Sequence, residues 1–274
     1  MTDIKFSNNC VFIKDKHFDL RQTLDCGQAF RFKVDENGIW TGVVKHKVLR
    51  LYKQQDTVVI ENLTEQEFKD FFYDYFTFDI DYEKIKSTLS SDKTLKKAIE
   101  TSPGIRLLSQ EKFETICSFI FSQNNNIPRI KGIIERFCEQ FGEKLQDGFY
   151  AFPTPEKIAS LTVEDLSPIR AGFRAKYIID AATKIASGEV CLDNLENLTT
   201  EQARVELMKI KGIGPKVAEC VLLFSCKKYD AFPVDVWIKK VMENLYPNGL
   251  PECTKGVEGI AQQYLFDYAR QIKM

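Results

Sequence analysis

The chain lacks an apolar run long enough to cross a membrane, and its first residues carry no secretory pattern. Both absences lead us to expect an intracellular protein: cytoplasmic or nucleoid-associated in a bacterium or archaeon, nuclear in a eukaryote. Histidine is scarce, with two residues far apart, which excludes a histidine-based metal site. The eight cysteines include no C-x-x-C pair and no tight cluster, so free thiols are expected and a four-cysteine iron–sulfur loop is excluded. An excess of positive charge is also missing: 38 basic residues face 39 acidic ones, for a formal net charge of −1. Such a balance does not announce a nucleic-acid binder. If this chain binds DNA, the positive charge must be local.

What is present is enough chain, 274 residues, for a full core and two or three subdomains. Residues 1 to about 62 alternate in the strand manner. Cys10-Val-Phe-Ile, Gln28-Ala-Phe-Arg-Phe, Trp40-Thr-Gly-Val-Val, Val48-Leu-Arg-Leu-Tyr and Thr57-Val-Val-Ile are the runs, and Asn37-Gly38 is a hairpin turn signal. A short helix from Asp19 to Leu24 interrupts the first pair. Thr64-Glu-Gln-Glu67 is a capping box, followed at helical spacing by Phe68, Phe71, Phe72 and Tyr75, an aromatic stripe that reads as core. From Ser109 onward the pattern is nearly all helical. Thr154-Pro155 and Thr162-Val-Glu-Asp165 start short helices, and Thr199-x-x-Gln202 caps another. The expected fold class is α+β: an N-terminal antiparallel sheet domain with flanking helices over 1–100, then a mostly helical domain over 101–274.

One stretch organises the helical part: Lys209-Ile-Lys-Gly-Ile-Gly-Pro-Lys216-Val-Ala-Glu-Cys220, followed by Phe232-Pro-Val-Asp235-Val. It reads as helix, glycine hairpin, helix, over about 204–226. Gly212 and Gly214 allow a turn that residues with a Cβ resist. Pro215 suits the first position of the second helix. The hairpin N–H groups beside a helix N-terminus form a natural phosphate seat. The positive end of the helix dipole disfavours an ammonium at Lys216, which makes that side chain a candidate amine nucleophile. Cys220 lies four residues on and shares its helix face. Asp235 opens an apolar-periodic run after Pro233, so an N-cap role is open to it as well.

These residues together resemble the signature of the helix–hairpin–helix DNA glycosylase superfamily. The lysine resembles that of its bifunctional branch, which excises a base and then nicks the strand. Three further stretches are similar to the 8-oxoguanine DNA glycosylases: Asp25-Cys-Gly27-Gln28-Ala-Phe30-Arg31, the asparagine run Asn124-Asn125-Asn126-Ile-Pro-Arg129, and Ala171-Gly172-Phe173-Arg174-Ala-Lys-Tyr177. The terminal Gln262 and Phe266, four apart, match that family's base pocket. The resemblance covers nearly the whole chain from Cys10, with the motifs in the family's order. There are departures. Trp237 stands where the animal enzymes carry a histidine that touches a phosphate, Ala29 replaces a serine, and Lys176 replaces an arginine, losing its fork geometry.

The resemblance implies a role for each site residue. Lys216 is the nucleophile, and Asp235 stabilises the cationic transition state. The Gly27 carbonyl accepts the extra N–H of 8-oxoguanine. Gln262 bonds the Watson–Crick edge, while Phe266 and Cys220 stack on opposite faces of the base. Asn124 fills the vacated space, Phe173 wedges the duplex, Arg129 and Arg174 read the orphaned cytosine, and Gly212 and Gly214 seat the backbone. The implied partner is double-stranded DNA carrying 8-oxoguanine opposite cytosine, with ring-opened purines as further substrates, bound by a monomer. No cofactor is required, and a structural monovalent cation at the hairpin belongs to this pattern. Two alternatives stand beside it: a lysine-bearing glycosylase for oxidised pyrimidines, and a non-catalytic helix–hairpin–helix DNA-binding protein.

Overall fold

A computed structural model of the chain describes residues 2–274. Six strands make the N-terminal sheet: β1 (Asp3–Ser7), β2 (Cys10–Lys14), β3 (Lys33–Val34), β4 (Trp40–Val44), β5 (Lys47–Gln54) and β6 (Thr57–Glu61). Their order is β1-β2-β6-β5-β4-β3, and every pair is antiparallel. The register places Val11 opposite Ile60, Ile60 opposite Leu51 and Leu51 opposite Trp40. This row of buried side chains crosses four strands on one face, as the period of two requires. The Asn37-Gly38 turn forms as the sequence suggests, with Gly38 at φ +79° and the Asp35 carboxylate accepting from the N–H groups of Asn37 and Ile39.

The sheet differs from the named runs at two places. β1, which lies ahead of the first named run at Cys10, pairs with β2. The run from Gln28 to Phe32 is not a strand. Its polar groups are satisfied elsewhere: the Gln28 side chain donates to the carbonyls of Thr23 and Arg106, both at 2.8 Å, and accepts from Leu108 N–H at 2.9 Å. A buried amide that supplies these bonds removes the need for a ladder.

Among the helices, α1 (Leu20–Leu24) follows its Asp19 N-cap. The Thr64 capping box starts α2 (Glu65–Glu67), which runs through a π-helical turn at Phe68–Phe72 into α3 (Tyr73–Tyr75). Phe68, Phe72, Tyr75 and Phe76 pack on the inner face of the sheet, so the aromatic stripe is core. Next come α4 (Tyr82–Leu89), α5 (Lys93–Thr101), α6 (Lys112–Ser122) and α7 (Ile127–Phe141). The remaining helices are α8 (Pro155–Ala159), α9 (Ala175–Ala186), α10 (Thr200–Leu207), α11 (Pro215–Ser225), α12 (Val236–Leu245) and α13 (Glu258–Gln271). The segment Thr162–Asp165 forms a side-chain-capped turn rather than a helix, with Thr162 N–H donating to Asp165 at 2.8 Å.

α6 and α11 pack together at the centre of the helical body. Every side chain of α11 from Val217 to Ser225 is buried, the charged Glu219 among them. The division expected near residue 100 does not separate two cores. Tyr82, Leu89, Leu95 and Ile99, on α4 and α5, bury their side chains in the helical core, because α5 packs against α13. Phe30 crosses into that core from the N-terminal part, and Leu108 crosses into the sheet core from the other side.

Candidate active site and nucleic-acid interface

The hairpin joins α10 to α11. Gly212 has φ +84°, and a Cβ there would fall 2.4 Å from the Tyr177 ring, so both backbone and packing demand glycine. Gly214 differs. It is the extended N-cap of α11, and a Cβ on it would meet nothing within 4 Å. The chain's own packing therefore does not require glycine at Gly214, contrary to the turn argument. No side chain caps α11, which leaves its first-turn N–H groups open beside Gly214 and Pro215. Two hairpin carbonyls take side-chain donors, Gly212 from Gln123 Nε2 at 2.9 Å and Lys209 from Lys184 Nζ at 2.5 Å, and Ile210 and Gly214 accept from the backbone N–H groups of Ile213 and Ala218.

Lys216 lies in the first turn of α11, half-buried, with Nζ 5.3 Å from the centre of the Phe119 ring. Phe119 in turn stacks on Phe224. The Cys220 thiol, one turn along, is pushed up to about 11 by burial. The Lys216 amine opposes that shift and the Asp235 carboxylate adds to it, so both charges are felt at one buried sulfur. Cys220 is therefore an inert, polarizable surface rather than a reactive thiolate. Asp235 caps α12: its Oδ1 accepts from Trp237 N–H at 3.0 Å and Ile238 N–H at 2.8 Å. Among the described residues no hydrogen-bond donor reaches Oδ2.

Glu219 links these two elements. It is buried beside Cys220, accepts the Phe232 N–H at 2.6 Å through Oε2, and meets Arg204 through Oε1. The loop that carries Asp235 is thereby tied to the helix that carries Lys216. Nothing in the local sequence marked Glu219, because its partner lies 13 residues away in an irregular segment.

A third element, α13, closes on the same loop. Gln262 is 4% exposed and donates from Nε2 to the Pro233 carbonyl at 3.1 Å. Its Oε1 is buried with no partner. A buried acceptor left open in this way costs about 1–3 kcal/mol, a cost relieved by any ligand that brings a donor. Phe266, one turn on, faces Gly27, whose hypothetical Cβ would lie 3.3 Å from the Phe266 ring. Gly27 has φ +83°, and no donor among the described residues reaches its carbonyl. Neighbouring Gln263, which sequence reasoning passed over, donates to the Cys26 carbonyl at 2.8 Å and holds the Gly27 loop against α13. α11 thus carries Lys216 and Cys220 and is tied through Glu219 to the loop of Asp235, and α13 gathers Gly27, Gln262 and Phe266. The Pro233 loop joins the two sets.

The asparagine run is a turn between α6 and α7. Asn124 is exposed with φ +47°, and Asn126 caps α7 by accepting from Arg129 N–H at 3.0 Å. The Arg129 side chain is exposed. Phe173 is 51% exposed, an unusual state for a large aromatic, and its ring meets Tyr177 edge-on at 6.0 Å. Arg174 departs from expectation. It is 3% exposed, and it donates to Gln123 O at 3.0 Å, Ala171 O at 3.1 Å and Asn124 O at 3.1 Å. Its guanidinium is spent on the protein's own carbonyls, two of them, Gln123 and Asn124, in the left-handed turn that ends α6. Burial and the nearby Arg129 both lower its hold on its proton. Trp237 is half-buried, with Lys240 Nζ 5.2 Å from its ring.

Comparison with known proteins gives concordant matches. Residues 10–116 match the family described as 8-oxoguanine DNA glycosylase, N-terminal domain, and residues 117–260 match the HhH-GPD superfamily base excision DNA repair protein. A Saccharomyces cerevisiae N-glycosylase/DNA lyase is 32% identical over 258 residues, which cover 83% of this chain and 68% of the yeast protein. The Clostridium acetobutylicum 8-oxoguanine glycosylase/lyase, solved with double-stranded DNA containing cytosine opposite 8-oxoguanine, is 41% identical. It superposes with a TM-score of 0.93 over 100% of this chain and 99% of its own. Its apo form gives 0.90 at 41% identity over 98% of each chain.

Proposed function

The chain belongs to the helix–hairpin–helix base-excision glycosylases, in their 8-oxoguanine branch, and from that premise we propose that it excises 8-oxoguanine from duplex DNA and then cuts the strand as a lyase. The observation that carries the reading is the Glu219–Phe232 hydrogen bond, which holds the loop of Asp235 against the helix that bears Lys216 and Cys220. The partner is double-stranded DNA, bound by one copy of the chain with cytosine opposite the lesion. Ring-opened purines with the same Watson–Crick edge are further substrates.

A base inside a duplex is out of reach, so it must be flipped out at a cost of a few kcal/mol. Stacking between Cys220 and Phe266 offsets part of that cost. The open Oε1 of Gln262 suits the donors on the edge of a guanine-type base. The unpartnered Gly27 carbonyl suits the N–H that distinguishes the oxidised base from guanine. One such directed bond is worth about 1–3 kcal/mol. That corresponds to about one or two orders of magnitude in discrimination, so other checkpoints must contribute.

In the chemical step the lone pair of the Lys216 amine attacks the anomeric carbon. The glycosidic bond breaks and its electrons leave with the base. Asp235, through the oxygen not used in capping, stabilises the positive charge that develops on the sugar. Loss of a proton from nitrogen and opening of the sugar ring give a Schiff base. Removal of a C2′ proton then expels the 3′ phosphate by β-elimination. The space beside Gly214 leaves room for the DNA backbone at the open N–H groups of α11. A monovalent cation at the remaining hairpin carbonyls would add to that seat. The test is cleavage of matched duplexes carrying 8-oxoguanine, guanine or thymine glycol. Cutting confined to the first supports the reading, whereas preferential cutting of thymine glycol overturns it.

A further inference from the structure

Gln123 is the last residue before the asparagine turn, and it faces two ways. Its side-chain Nε2 donates to the Gly212 carbonyl at 2.9 Å, 89 residues away in the hairpin. Its own carbonyl accepts from Arg174 Nε at 3.0 Å and also meets Arg174 Nη2. Arg174 also holds the Asn124 carbonyl at 3.1 Å, which stabilises the left-handed backbone at that asparagine. The next residue back, Phe173, packs edge-on against Tyr177, and Tyr177 lies against Gly212. The contacts therefore close a circuit: Gly212, Gln123, Arg174, Phe173, Tyr177 and back to Gly212. The phosphate-seating hairpin, the exposed Asn124 and the exposed Phe173 all lie on this ring.

Building on the repair reading, we propose that Gln123 is a positioning residue that couples seating of the hairpin on the DNA backbone to insertion of Asn124 and Phe173 into the duplex. Gln123 touches no reacting atom. It sets where the inserting groups stand relative to the backbone contact. Asn124 stands in the left-handed region, which asparagine adopts more readily than most residues, and the bonds from Arg174 and Gln123 fix the turn around it. A displacement of about 1 Å in a positioned group can lower a rate by about 100-fold.

The experiment measures single-turnover base excision by the full chain and by Gln123→Ala and Gln123→Glu. Glutamate keeps the shape but has no donor for the Gly212 carbonyl. Two substrates are used: 8-oxoguanine opposite cytosine, and 8-oxoguanine opposite an abasic site, where the lesion has no pairing to lose. Both variants should excise the paired lesion about 10- to 100-fold more slowly than the parent. On the unpaired lesion they should stay within about threefold of it. A 2-aminopurine placed next to the lesion should brighten more slowly in the variants, reporting delayed extrusion. Equal loss on both substrates would mean that Gln123 only supports the fold, and wild-type rates in both variants would remove any coupling; either overturns the inference. If the parent chain itself leaves the 8-oxoguanine duplex uncut while nicking an oxidised-pyrimidine duplex, the repair reading fails first and takes this inference with it.

Discussion

The Glu219 carboxylate accepts the Phe232 N–H at 2.6 Å and thereby joins the helix bearing Lys216 to the loop bearing Asp235. Substituting Glu219→Ala leaves the half-buried Phe232 N–H without its acceptor and Arg204 with Glu201 as its remaining carboxylate partner. The expected cost is about 1–3 kcal/mol in stability. Turnover should fall more than lesion binding does, because the loop carries Asp235. Denaturant melts alongside kcat and KM measure both effects, and an unchanged kcat would refute the link.

Lys216→Gln removes the amine while keeping a polar, unbranched side chain of nearly the same reach. Borohydride should trap no covalent complex with lesion DNA, and excision should fall by orders of magnitude. Binding to the lesion duplex should remain within a few-fold of the parent. Survival of trapping would assign the nucleophile elsewhere.

Asp235 has two jobs that can be separated. Asparagine is as good an N-cap as aspartate, so Asp235→Asn should melt where the parent does. Its excision rate should drop by about 10²- to 10³-fold, the usual loss when one electrostatic stabiliser is removed. Asp235→Ala should lose the same activity and in addition about 1 kcal/mol of stability. An Asn variant that melts normally and turns over normally would leave Asp235 as a cap alone.

Arg129 and Arg174 should behave differently despite their proximity. Arg129 is exposed, so Arg129→Ala should change stability by no more than about 0.5 kcal/mol and should flatten the preference for cytosine opposite the lesion. Arg174→Ala strips donors from three carbonyls at a buried site and should cost on the order of 2–3 kcal/mol. Its loss of activity should be similar whichever base lies opposite. Melting curves and cleavage with each of the four opposite bases decide the matter.

A pH effect on stability should come from Glu114, in the first turn of α6. Burial pushes its carboxyl up to about 7, with the Arg31 guanidinium 3.2 Å away opposing the shift and Glu111 adding to it. The native state then keeps a proton that the unfolded chain loses near the ordinary value of 4.5. The stabilisation is complete below 4.5 and is lost as the pH rises through about 7. Glu114→Gln should reduce the slope of unfolding free energy against pH in this window, as read from denaturant titrations at several pH values. An identical slope in the variant would exclude Glu114 as its source.

Local chemistry was legible in the chain itself. The short helix from Asp19, the caps at Thr64 and Thr199, the Asn37-Gly38 turn and the aromatic stripe from Phe68 all depend on neighbours within a few residues, and all form as read. The hairpin with Pro215, and Asp235 at the start of α12, belong to the same class. Interactions between distant segments were not legible. The Gln28 amide that replaces a strand ladder, the burial of Arg174, and the ties from Gln123 to Gly212 and from Gln262 to Pro233 each join polar groups far apart in sequence. A glutamine or arginine has many possible partners along a chain. Only the packing of α6, α9, α11 and α13 decides which one it meets, because burial makes an unmet donor or acceptor too costly to leave.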